Sequence, residues 1–71
     1  DIVAGLPRIE LIGNGQLQME NHRGILSYRE DEVVVSGGKL LVRIQGSELE
    51  LQSMSANALL VAGVIRSVQL E

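Results

Sequence analysis

Glu20-Asn21-His22-Arg23-Gly24 is the stretch of this chain whose residue types come closest to chemistry, because it sets the only histidine beside an arginine. A histidine acting as general base needs a nucleophile and an orienting group, and as a zinc ligand it needs further His, Cys or carboxylate partners at suitable spacing. The chain has no cysteine, no second histidine and no motif that supplies the missing members. No catalytic residue, metal ligand or cofactor-binding residue is therefore predicted, and the reading is of a protein that is not an enzyme. What remains for Asn21, His22, Arg23 and Gly24 is a turn between two strands. Asn21 tolerates left-handed geometry there, Gly24 supplies freedom, and the His22 and Arg23 side chains point to water or cap carbonyls. The same turn is also a candidate recognition element, with His22 and Arg23 holding an anion such as a phosphorylated headgroup or a glycan fragment.

Two other stretches invite chemical readings and fail them. Gly13-Asn14-Gly15 suggests a phosphate loop, but the third glycine and the following helix of a dinucleotide fingerprint are missing. Glu48 and Glu50 alternate with Leu49 and Leu51, which makes them the solvated side of a strand.

Composition bounds the rest. Seventy-one residues form one small domain, residues 1–71, near the size where a single core only just offsets the entropy of ordering the chain. The first residue is Asp1 rather than Met, which leads us to expect a short N-terminal segment missing from this sequence. Hydrophobic residues make up 45% of the chain while Tyr28 is its one aromatic, so Ile, Leu and Val must fill the interior. The net charge of −3 is scattered, with one lysine, no basic cluster and no row of stacking aromatics, which argues against nucleic-acid binding. The longest apolar run, Ala58 to Ile65, falls far short of the ~20 residues of a membrane-spanning helix, so no transmembrane segment is expected.

The elements that would position these residues are strands. Short runs of Val, Ile and Leu alternate with turn residues and no window sustains a helical period. Eight strands are predicted, near Arg8–Ile12, Gln16–Glu20, Ile25–Tyr28, Glu32–Val35, Lys39–Ile44, Glu48–Gln52, Leu59–Ala62 and Val64–Leu70. If Gly37-Gly38 is a two-residue hairpin loop, Val35 faces Leu40, Val34 faces Leu41 and Val33 faces Val42. If Gly46-Ser47 is another, Ile44 faces Leu49, Arg43 faces Glu50 and Val42 faces Leu51. Both loops then give one apolar face, made of Val33, Val35, Leu40, Val42, Ile44, Leu49 and Leu51. A four-residue loop, Arg29 to Glu32, sets Tyr28 against Val33 and Leu26 against Val35. A three-residue loop, Gly13 to Gly15, pairs Leu11 with Leu17 and Ile9 with Met19. Near the C-terminus the apolar parity changes, and a bulge near Arg66 and Ser67 would bring both sets to one face.

An apolar residue followed by two more at offsets of eight and ten recurs four times, first as Ile9, Leu17, Met19 and then as Ile25, Val33, Val35. Such a repeat fits either repeating hairpins or the rungs of a short β-solenoid that polymerises end to end. The double-glycine loop favours hairpins, so the predicted fold is all-β, a small antiparallel meander of short strands closing into a barrel or sandwich. Ile25, Val34 and Leu41 fall on the side assigned to solvent. They form a candidate interaction patch, unless the sheet curls and buries them itself.

Leu6-Pro7-Arg8-Ile9-Glu10-Leu11-Ile12-Gly13 and Glu20-Asn21-His22-Arg23-Gly24-Ile25-Leu26 closely resemble the YqfC branch of the YabP/YqfC family of sporulation proteins. The likeness continues through Gly38-Lys39-Leu40-Leu41-Val42 and Gly63-Val64-Ile65-Arg66-Ser67-Val68, although the turn around Ser36 to Gly38 is shorter than in other members. Members are small proteins of endospore-forming bacteria, generally longer at the N-terminus. The resemblance implies a role in spore formation, cytoplasmic in the mother-cell compartment or at the spore envelope, and it carries no catalytic residues. The leading expectation is a structural assembly protein that forms a homo-oligomer or docks onto a spore-assembly partner through a sheet edge or the Ile25, Val34, Leu41 patch.

Overall fold

A computed structural model describes residues 6–71. They form six antiparallel strands and, among the described residues, no helix: β1 (Arg8–Ile12), β2 (Gln16–Glu20), β3 (Ile25–Tyr28), β4 (Glu32–Ser36), β5 (Leu41–Met54) and β6 (Ala58–Leu70). The strands make one sheet in the order β1-β2-β6-β5-β4-β3. β3 to β6 run as a meander, and the β1–β2 hairpin adds to the outer side of β6. The two end strands do not meet, so the sheet does not close into a barrel. All pairings are antiparallel, which replaces the solenoid alternative, since stacked solenoid rungs would pair in parallel.

The eight predicted strands become six because two expected breaks are bends. Gly46 and Ser47 do not turn the chain; they pair with Ile65 and Val64, and β5 continues through them. Likewise β6 runs unbroken across Gly63. Each long strand therefore serves two places. The first half of β5 lies between β4 and the last part of β6, while its second half pairs with the start of β6, which in turn pairs with β2. Folding at the bends turns both halves toward one core of Leu17, Met19, Val33, Val35, Val42, Ile44, Leu49, Leu59, Val61 and Ile65.

Glycine at the bends is required by contact. A β-carbon on Gly46 would collide with the Val64 carbonyl, and one on Gly63 would lie 2.5 Å from the Glu48 carbonyl oxygen. The extra residues of β5 opposite Gly63 include Glu48, which takes a positive φ of 53° at the bulge.

The pairing is duplicated. In the β1–β2 hairpin Ile9 faces Met19 and Leu11 faces Leu17; in the β3–β4 hairpin Ile25 faces Val35 and Tyr28 faces Val33. Met19 and Leu17 then face Leu59 and Val61 of β6, just as Val35 and Val33 face Val42 and Ile44 of β5. Past the bends, each hairpin tip covers the backbone of the long strand it flanks. Gly63 and Ile65 donate to the carbonyls of Gly15 and Asn14, while Gly46 and Leu49 donate to those of Asp31 and Glu30. The first two copies of the sequence repeat are thus two equivalent hairpins sixteen residues apart.

Register differs from expectation at three places. The β4–β5 connection is Gly37–Leu40, closed by a Gly37 N–H to Leu40 C=O bond of 2.8 Å, so Val35 faces Val42, Val34 faces Arg43 and Val33 faces Ile44. This is a shift of two positions, which preserves side-chain parity. All seven residues assigned to the inward face lie in the core or pack against it, Leu49 and Leu51 because the bulge at Glu48 shifts the parity of β5 after Gly46. Second, a bulge at Leu26 sets Ile25, rather than Leu26, against Val35 and leaves Leu26 exposed. Third, since Gly46-Ser47 is not a turn, the expected Ile44–Leu49, Arg43–Glu50 and Val42–Leu51 pairs are replaced: Val42, Arg43 and Ile44 face Leu70, Gln69 and Val68, Leu51 faces Val61, and Arg43 binds Glu32 and Glu71. The Gly13–Gly15 loop holds the predicted pairing, and the parity change in β6 occurs at Arg66, between the Gln45–Ser67 and Gly46–Ile65 pairs.

Candidate functional site

The Asn21–Gly24 segment carries the chain from the end of β2 to the start of β3, across one end of the folded sheet. Asn21 takes the left-handed φ of 65° that its short amide side chain tolerates, and Gly24 has a φ of 115°. Backbone bonds fix the crossing at both ends. Asn21 and His22 donate to the Asn57 carbonyl in the β5–β6 turn, Arg23 donates to Ser36 C=O at 2.7 Å, and Ser36 donates to Gly24 C=O at 2.8 Å. The Asn21 amide also holds the chain before β1, donating to the Leu6 carbonyl at 2.9 Å.

His22 lies inside this crossing, 5% exposed, and is the buried polar residue of the described chain. Its Nδ1 accepts from the Gly24 N–H at 3.0 Å, and its Nε2 lies 3.1 Å from the Ser55 carbonyl oxygen. A carbonyl only accepts, so the proton sits on Nε2 and the ring joins the crossing to the β5–β6 turn. Both nitrogens are occupied. Arg23, next to it, is exposed and reaches outward. The sequence placed these residues in a turn and proposed carbonyl capping for His22; its burial was the part not foreseen.

Ile25, Val34 and Leu41 are not gathered into one patch. Val34 and Leu41 share the outer face as diagonal neighbours, with Val34 buried opposite Arg43 and Leu41 half-buried opposite Ser36. Ile25 packs against the core, because the Leu26 bulge reverses the parity of β3.

The outer face around Val34 carries a charge network instead. Arg43 Nε and Nη2 donate to the two carboxylate oxygens of Glu71 at 2.8 and 3.3 Å, and Nη1 donates to Glu32 at 2.9 Å. Gln45 adds a bond to the same Glu32 oxygen at 3.1 Å. The Arg43 hydrogen bonds hold both carboxyls below the ordinary carboxylate range and push the guanidinium pKa further up. The network ties β4, β5 and the end of β6 together.

The end strands of the sheet are β3 and β1. β3 is short, bulged at Leu26, and its Tyr28 hydroxyl accepts the Leu51 N–H at 2.9 Å, turning toward the second half of β5. β1 is regular and, among the described residues, packs beside β2 alone, with Leu11 and Ile12 about half exposed. No group of His, Cys, Asp or Glu able to hold a metal ion occurs among the described residues, and no helix there is long and apolar enough to cross a membrane.

A family model described as the YabP family matches residues 5–71. The chain belongs to the YabP family. Its similarity to a family member is direct: an uncharacterized protein of Bacillus subtilis (strain 168), YqfC, is 31% identical over 71 residues, covering 97% of this chain and 74% of the relative. No solved structure matches the chain. The family match spans both hairpins, the crossing and the long bent strands, so all of them belong to the YabP unit.

Proposed function

We propose that this protein is a non-enzymatic assembly component of spore formation, working in the mother cell or at the spore envelope by self-association or by docking onto an envelope partner. The observation that supports it best is the regular β1 edge, which carries no further strand among the described residues and whose outward backbone groups can take one. Membership of the YabP family, with the resemblance to sporulation proteins of endospore formers, supplies the setting. The residues most suited to chemistry support it from the other side: His22 spends both nitrogens on backbone partners, which leaves Arg23 alone for any anion.

The test is genetic and microscopic. In an endospore-forming host lacking its own YabP-family protein of this type, the chain should restore heat-resistant spores, and a fluorescent fusion should collect around the developing spore. An even cytoplasmic signal together with unchanged spore yield in the deletion strain would remove the reading.

A further inference from the structure

We propose that β1 is a homotypic seam, through which two copies join β1 to β1 antiparallel, centred on Ile9, to make one continuous sheet. The inference rests on the assembly reading and names the partner as a second copy of this chain.

Which backbone groups face outward follows from the hairpin. Gly15 donates to the Ile12 carbonyl across the turn, so Ile12 faces β2. Strand alternation then turns the N–H and C=O groups of Glu10 toward β2 and those of Ile9 and Leu11 away from it. Centring the pair on Ile9 lets the two Ile9 residues exchange N–H to C=O bonds. It also lets each Leu11 N–H donate to the Pro7 carbonyl of the second copy. Pro7 has no N–H to leave unpaired, and it ends the strand.

Side chains select the same register. With Ile9 opposite Ile9, each Arg8 stands opposite Glu10 of the second copy, and complementary charges meet twice. Within its own chain Arg8 makes only loose contacts, 3.7 Å to Glu10 and to Glu20, with its side chain 66% exposed. Centring on Glu10 or on Arg8 instead would set like charges face to face, and a one-residue slip would put Ile9 against Glu10 and mix the two faces. On the core side, the apolar row that runs Val61, Leu17, Leu11 meets Pro7 of the second copy directly and its Ile9 diagonally, covering a leucine that is 51% exposed in the single chain.

An isologous pair explains why assembly stops at two, because each copy spends its β1 edge on the other. The opposite end strand, β3, has four residues, a bulge and a tyrosine whose hydroxyl is bonded to the Leu51 N–H, features that blunt an edge against pairing. A five-residue seam is small, so the dimer depends on concentration.

Sedimentation equilibrium on the purified chain, with circular dichroism to confirm folding of each variant, tests the seam. Wild type should pass from monomer to dimer as concentration rises. Glu10→Arg should weaken the dimer about tenfold or more, and Arg8→Glu combined with Glu10→Arg should restore it. Glu10→Gln should weaken it mildly, whereas a seam centred on Glu10 would be strengthened. Leu26→Arg on β3 should leave it unchanged. A dimer indifferent to Glu10→Arg, or not restored by the charge exchange, overturns the β1 seam while leaving self-association standing. A monomer at every concentration overturns the seam and the self-association arm together, and leaves docking to another protein to the cellular test.

Discussion

Gly46 and Gly63 occupy equivalent places on β5 and β6, each with its α-carbon pressed against the backbone of the opposite strand. They are where the two long strands bend, and the bend is what brings Leu17 and Val61 into one core with Val33 and Ile44. Neither contact is with a flexible side chain, so nothing nearby can give way. Gly46→Ala and Gly63→Ala should each lose about 3 kcal/mol of stability or more, the range of overpacking combined with backbone strain. Gly13→Ala is the comparison: its φ of 57° is positive, as that of Gly63 is at 139°, but an added β-carbon meets nothing within 4 Å, so it should cost only about 1 kcal/mol. Urea unfolding of the three variants separates contact from conformation; similar losses in all three would mean that close approach is not what selects glycine at the bends.

His22 joins two backbone groups that lack another partner in the crossing. His22→Phe keeps a planar, slightly larger ring but leaves the Gly24 N–H and the Ser55 carbonyl unsatisfied, which should cost about 2 to 3 kcal/mol. Thermal unfolding measures the loss, and hydrogen exchange at Gly24 should quicken. A variant as stable as wild type would show that water replaces the ring at no cost.

The Arg43 network makes stability depend on acid. Glu32 and Glu71 both have carboxyls held below the ordinary value of 4.5 by hydrogen bonds from Arg43. A depressed carboxyl contributes stability that is fully present above its unfolded value and is lost as pH falls through the folded one. The urea midpoint should therefore hold from neutrality to about the unfolded carboxylate pKa and decline below it, and Arg43→Met should flatten that decline. An equal acid decline in both proteins would exclude the network as its source. Added salt should weaken the difference, since all three groups reach solvent.

Side-chain parity was legible because it is a local property of period two. Seven inward residues follow from alternation and two assumed loops. A two-position error in the β4–β5 register left Val33, Val35, Val42 and Ile44 in the core, and the bulge at Glu48 makes the parity change that the assumed Gly46-Ser47 turn supplied for Leu49 and Leu51. The Gly13–Gly15 hairpin gave its register as well, because apolar matching of Ile9 with Met19 and Leu11 with Leu17 selects a three-residue loop over a two-residue one. The turn character of Asn21 to Gly24 was equally local.

The alternation of aliphatic and polar residues, the glycine-bearing reversals and the lack of any helical period determined by themselves that this protein is an antiparallel sheet with an Ile, Leu and Val core. Tertiary structure alone decided that Gly46-Ser47 is a bend rather than a turn, that Ile25 joins the core, and that His22 is enclosed. A glycine next to a serine has the same local freedom in either role. Only the partner strand, with Val64 and Ile65 lying against Gly46, selects between them, and that contact joins residues far apart in the chain.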